Sequence, residues 1–105
     1  MNAYHWFEDL NTLIDHLPAD SIVSRTIYQD EQIKAVLFGF APGQALSEHT
    51  AAQPAIIHIV RGEAALTLDT DSFDAQAGAW VHMPPRLRHS VSAKSELIML
   101  LLLLK

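Results

Sequence analysis

Chemistry in this chain would have to run through histidine. Six are present, His5, His16, His49, His58, His82 and His89, and cysteine is absent. The lack of Cys excludes disulfides, thiolate metal sites and a cysteine nucleophile. Imidazole both ligates divalent metals and exchanges protons near neutrality, so metal or acid–base chemistry depends on whether these histidines converge. No Ser-His-Asp pattern, phosphate-binding loop or paired-carboxylate arrangement is visible. Asp69, Asp71 and Asp74 cluster in and after a turn, where short acidic side chains suit the backbone. Their spacing is not that of a calcium loop.

The elements that must position these residues are read from apolar periodicity. Trp6, Leu10, Leu13, Ile14 and Leu17 recur at helical spacing, and Pro18 closes the run, which predicts one short amphipathic helix over residues 6–17. From Ser21 onward the pattern changes to short apolar or β-branched runs punctuated by Gly, Pro and Asp. About eight such runs at close spacing predict an all-β antiparallel sandwich or barrel. Arg61-Gly62 and Asp69–Ser72 are read as turns that pair the runs on either side of them. The division expected is an N-terminal helical segment, residues 1–20, packed on a β domain, residues 21–105.

Composition narrows the function classes. The chain has 105 residues, half of them hydrophobic and 18% charged, which suits one small folded domain. Its net charge is −5 and its few Lys and Arg do not cluster, which argues against nucleic acid as a partner. The longest apolar run, Leu97–Leu104, is far short of the roughly 20 residues of a membrane helix and reads as a buried strand. The N-terminus has neither the basic nor the apolar region of a signal peptide, so a cytoplasmic location is expected.

Two stretches carry more than the strand pattern does. One runs from Gly43 through His49 and Ala55 to Gly62; the other runs from Gly78 through Pro84-Pro85 to His89 and Ala93. The glycines fall at strand connections, where a tight turn or a positive φ is called for. Pro84 and Pro85 remove two backbone donors and end the strand before them. Together these stretches resemble the paired motifs of the cupin superfamily. Gly43, His49 and Gly62 stand at first-motif positions, and Gly78, Pro84 and His89 at second-motif positions. The fifteen residues between Gly62 and Gly78 suit the short hairpin between the motifs in small cupins. The resemblance implies a jelly-roll β-barrel and a homodimer.

The resemblance also implies a site, and the sequence departs from it. In metal-binding cupins two His and a Glu of the first motif join the His of the second on one divalent ion. His49 and His89 match two of those positions, while Ala51 and Ala55 occupy the other two. An alanine methyl coordinates nothing, so what carries over is half a site. His49 and His89 are candidates for metal ligation or polar contact with a ligand, or for a hydrogen-bonded pair without metal. His58 is a candidate third ligand, but strand alternation puts residues 55, 57 and 59 on one face and 58 on the other. His82 shares that ambiguity, and both also read as strand histidines at a dimer surface. Gln53 and Trp80 complete the pocket candidates, although Trp80 and Phe73 are expected in the core, as are Met83 and Met99. Arg86 stands where the family has Gly and, with Arg88, makes a small basic rim. The reading that follows is a cupin that binds a small molecule in the barrel interior beside a degenerate metal site. The alternative is a metal-dependent enzyme, of oxygenase or isomerase type, holding Zn, Ni, Mn or Fe on His49, His89 and a third group.

Overall fold

A computed structural model describes residues 3–105. Nine strands follow one another: β1 (Ile22–Gln29), β2 (Ile33–Phe40), β3 (Ala45–His49), β4 (Ala55–Arg61), β5 (Glu63–Leu68), β6 (Asp71–Gln76), β7 (Trp80–Met83), β8 (His89–Ala93) and β9 (Leu97–Leu104). They form a five-stranded sheet in the order β1-β2-β9-β4-β7 and a four-stranded sheet in the order β3-β8-β5-β6. Every pairing is antiparallel. The chain passes from one sheet to the other between most consecutive strands, which is the winding of a jelly roll.

Alternation decides which residues meet between the sheets. Ala55, Ile57 and Ile59 on β4, Leu97 and Met99 on β9, and Val91 and Ala93 on β8 point into one buried cluster with Phe40 and Met83. Both expected core methionines are there. Leu97–Leu104, the most apolar run, is the middle strand of its sheet, hydrogen-bonded to β2 on one side and β4 on the other. Leu97, Ile98 and Met99 are buried, and Leu100–Leu104 are half-buried.

Three expectations are corrected. The helix over residues 6–17 is a single 3₁₀ turn, Leu10–Thr12, capped by the Asp9 carboxylate accepting from the Asn11 N–H at 3.0 Å. Asp, Asn and Thr compete for backbone hydrogen bonds, and a helix this short is marginal without packing along its whole face. The segment uses its apolar residues differently. Ile14 lies against Gly39 of β2, within 3.2 Å of where a Cβ would stand. Gly39 is paired with Ile98, and the Arg25 guanidinium donates to the Leu13 carbonyl at 2.9 Å. Thus Leu37 and Ile98, which face away from the sandwich interior, are buried all the same.

Second, Arg61-Gly62 does not join a hairpin, because β4 and β5 lie in different sheets. Gly62 is the corner between them, at φ +93°, where a side chain would strike the Glu96 carbonyl. The turn at Asp69, by contrast, closes a true β5–β6 hairpin with Leu68 opposite Asp71. Third, Phe73 and Trp80 are 51% and 60% exposed rather than core residues. Both lie on edge strands, β6 and β7, with no further strand to cover them. No helix among the described residues is long and apolar enough to cross a membrane.

Candidate functional site

His49 closes β3 and His89 opens β8, and the register places them directly opposite each other. An irregularity between Leu46 and His49 shifts β3 by one residue, which brings His49 onto the row of His89 and Val91. The rings are 4.2 Å apart between centroids, tilted by 57°. His89 is 6% exposed, the one polar side chain among the described residues that is fully buried, while His49 is exposed.

Each ring is pinned in the same way. His49 Nδ1 donates to the Ser47 carbonyl at 2.7 Å and His89 Nδ1 donates to the Leu87 carbonyl at 2.9 Å, both two residues back along the chain. A carbonyl can only accept, so both Nδ1 atoms carry the hydrogen and Nε2 is the free polar atom of each neutral ring. That is the tautomer an imidazole adopts to ligate a metal or to accept a hydrogen bond at Nε2.

The remaining donors are missing. Ala55 is buried on the inner face of β4, opposite Met83 and Leu103. Ala51 lies in the β3–β4 loop and offers its carbonyl to the Arg86 N–H at 2.7 Å, which ties this loop to the one between β7 and β8. Arg86 makes that bond at φ +67°, a conformation that favours glycine. Among the described residues no group of three His, Asp or Glu is placed to share one ion. A protein-held divalent ion takes three or four protein donors, so this donor set does not fit one.

The other candidates lie elsewhere. His58 is opposite Leu100 and Trp80, and His82 is opposite Ile56, so both point away from the interior, as the alternation of β4 requires. Gln53 is exposed in the β3–β4 loop. Trp80 forms part of the wall of a cleft of about 390 Å³ between the edges of β6 and β7, with Leu66, Leu68, Phe73, Ala75 and Val81. Leu68, in the wall of this cleft, is the direct neighbour of His89 across β5 and β8. Its volume lies within the range usual for small-molecule pockets. Alternation along β5 places Leu66 and Leu68 on the inner face, but no local signal tells that β6 and β7 stand apart at their edges.

Outside the pair, Arg88 is held by Asp69 at 2.5 Å and lies 3.8 Å from Glu48. The Asp69 carboxylate, with Glu48 behind it, keeps the guanidinium protonated even more firmly than usual. These three bound a shallow pocket of about 180 Å³ that reaches His89 between Thr67 and Ser90. Arg88 is therefore neutralised within the protein, whereas Arg86 makes no ion pair among the described residues.

A family model described as "Cupin domain" matches residues 36–104. No curated protein matches the sequence. A cupin superfamily protein from Desulfitobacterium hafniense is 25% identical, with a TM-score of 0.80 over 85% of this chain and 82% of that one. A conserved protein of unknown function from Streptococcus pyogenes is 28% identical, with a TM-score of 0.75 over 82% of this chain and 75% of that one. An RmlC-like cupin from Desulfovibrio desulfuricans, 24% identical over 89% of this chain and 92% of that one, shares the fold at a TM-score of 0.77.

Proposed function

The chain belongs to the cupin-domain family, and from that premise we propose that it binds a small organic molecule in the barrel interior, without a protein-held metal ion. The observation that carries this reading is the His49–His89 pair, two rings whose Nδ1 atoms are committed to backbone carbonyls and whose Nε2 atoms are free. Beside them lies an apolar cleft rather than further ligands. A molecule with an apolar body and one hydrogen-bonding end matches that arrangement. The body displaces water from Leu66, Leu68 and Val81, and the polar end donates to an imidazole Nε2.

The test is a ligand screen by thermal shift and by two-dimensional NMR, using aromatic acids, aliphatic acids and sugars. The expected result is a hit that moves the signals of His49, His89, Leu68 and Val81 together and is weakened about two- to tenfold by His49→Ala, the loss of one neutral hydrogen bond. Resonance changes confined to the outer surface, or no response to any class, would refute it. Metal analysis of protein purified without an affinity tag provides the opposing arm. Stoichiometric metal that disappears in both His49→Ala and His89→Ala would replace this reading with the metal-dependent one.

A further inference from the structure

Two neutral rings pinned through Nδ1 offer two acceptors, the Nε2 atoms of His49 and His89, and keep no ring N–H free to donate. Their centroids are 4.2 Å apart, a separation that two hydrogen bonds of about 2.9 Å from one donor atom can span. A head group that donates two hydrogens from a single atom therefore satisfies both rings at once. A hydroxyl carries one hydrogen and serves one ring. A carboxylate carries none and sets further acceptors against the two already there.

Charge sorts the donors that remain. In the pocket of about 180 Å³ that reaches His89, the other ionisable wall residues are Glu48, Asp69 and Arg88. Arg88 is held by Asp69 at 2.5 Å and lies 3.8 Å from Glu48, so two carboxylates share one guanidinium. One negative charge is left in excess, on the side of Glu48, the residue next to His49 in the chain. The apolar cleft has a single ionisable wall residue, Asp74, which Lys94 neutralises. Among the described residues no unpaired cation lines either space, and Arg86 is in neither wall. The chain as a whole carries −5. An anionic head enters against this field, a neutral one gains nothing from it, and a cationic one is drawn in. Phe73 and Trp80 in the cleft wall suit an aromatic body.

Resting on the small-molecule reading above, we propose that the ligand is an arylalkyl primary amine, bound as its ammonium ion. Two ammonium hydrogens go to the Nε2 atoms of His49 and His89, and the third lies toward Glu48. The aryl body lies in the cleft beside Leu68, the neighbour of His89 across β5 and β8. Three donors on one compact atom match two imidazole acceptors and a carboxylate, whereas an alcohol matches one of them and an acid none.

The probes are phenylpropylamine, phenylpropanol and phenylpropanoate, each with the ring at the far end of the chain. They are titrated into the full protein at about pH 8, where an ordinary imidazole is neutral, and followed by two-dimensional NMR. The amine should move the signals of His49, His89 and Leu68. It should bind about fivefold or more tightly than the alcohol, the difference between charged and neutral hydrogen bonds, with the acid weakest. Glu48→Gln should weaken the amine about two- to threefold and leave the alcohol unchanged. His49→Lys, at an exposed position, should invert the order, so that the acid binds more tightly than the amine. An alcohol or acid that moves the same signals and binds the wild type more tightly than the amine overturns the amine class and leaves the small-molecule reading standing. Silence from all three also overturns the amine class, and the small-molecule reading falls only when the wider ligand screen is silent too. Amine shifts confined to the outer surface, or an amine affinity unchanged in both variants, overturn the proposed head-group contacts.

Discussion

Replacing Gly62 by alanine should be the most damaging single methyl addition at any turn of this fold. Gly62 has φ +93°, and an added Cβ would lie 2.0 Å from the Glu96 carbonyl oxygen and 3.0 Å from its carbon. Two terms add. The backbone conformation alone costs an L-residue about 1–2 kcal/mol. The clash is with main chain, and that main chain is held on several sides. The Arg61–Glu96 ion pair at 2.7 Å, the Glu63 N–H to the Ser95 hydroxyl at 3.0 Å and the Lys94 N–H to the Glu63 carbonyl at 2.9 Å lock the β8–β9 connection onto this corner. Moving it by about 1 Å resembles overpacking a core, about 1–3 kcal/mol. Gly43 and Gly78 supply the control, since they have φ +84° and +97° but nothing within 4 Å of an added Cβ. Gly43→Ala and Gly78→Ala should therefore lose only the conformational part, and Gly62→Ala about 2–5 kcal/mol in all. Urea unfolding of the three variants measures the difference, which should be at least about 1 kcal/mol, or roughly 4–8 °C in Tm for a domain of this size. A Gly62→Ala loss no larger than that of Gly43→Ala would refute the close-approach reasoning.

Two further outcomes follow from local geometry. Arg86→Gly removes a side chain from a φ of +67° while keeping the N–H bond to Ala51, and should raise stability by about 1 kcal/mol in urea unfolding; a decrease would show that the Arg side chain itself supports the loop. Asp30 is held below the usual carboxylate range, first by the Tyr28 hydroxyl and then by the Ile33 and Gln32 N–H groups. A depressed folded pKa stabilises above the unfolded value, near 4, and that stabilisation is lost as pH falls through the folded value. Asp30→Asn should therefore be less stable than wild type at neutral pH, with the gap closing in acid. Tyr28→Phe should raise the Asp30 titration midpoint seen by carboxyl NMR, and an unchanged midpoint would remove the hydroxyl from that account.

Much of the site was legible because strand alternation is local. The outward direction of His58 follows from counting residues along β4, and the structure agrees. Ala51 and Ala55 are losses visible in the letters alone, as is the placing of glycine at the three positive-φ corners. The N-terminal segment misled for a physical reason. Helical spacing of apolar residues states only which side chains seek burial, and here Ile14 is buried against a bare glycine on β2 from a chain that turns only once. Gly62 misled in the same manner. A glycine between two strands signals a bend, but whether the bend pairs its strands or sends them to different sheets depends on partners far away in the chain.

By itself, then, the sequence determined the fold class, the faces of the central strands and the absence of a full ligand set, all of which depend on residue identity and spacing within a few positions. The tertiary structure decided everything that needs two distant strands at once. The irregular register of β3 against β8 brings His49 over His89, forty residues later. The gap between the edges of β6 and β7 turns two expected core aromatics into the wall of a cleft. Backbone pairing is chosen by the whole set of competing strands, and no window of a few residues contains that information.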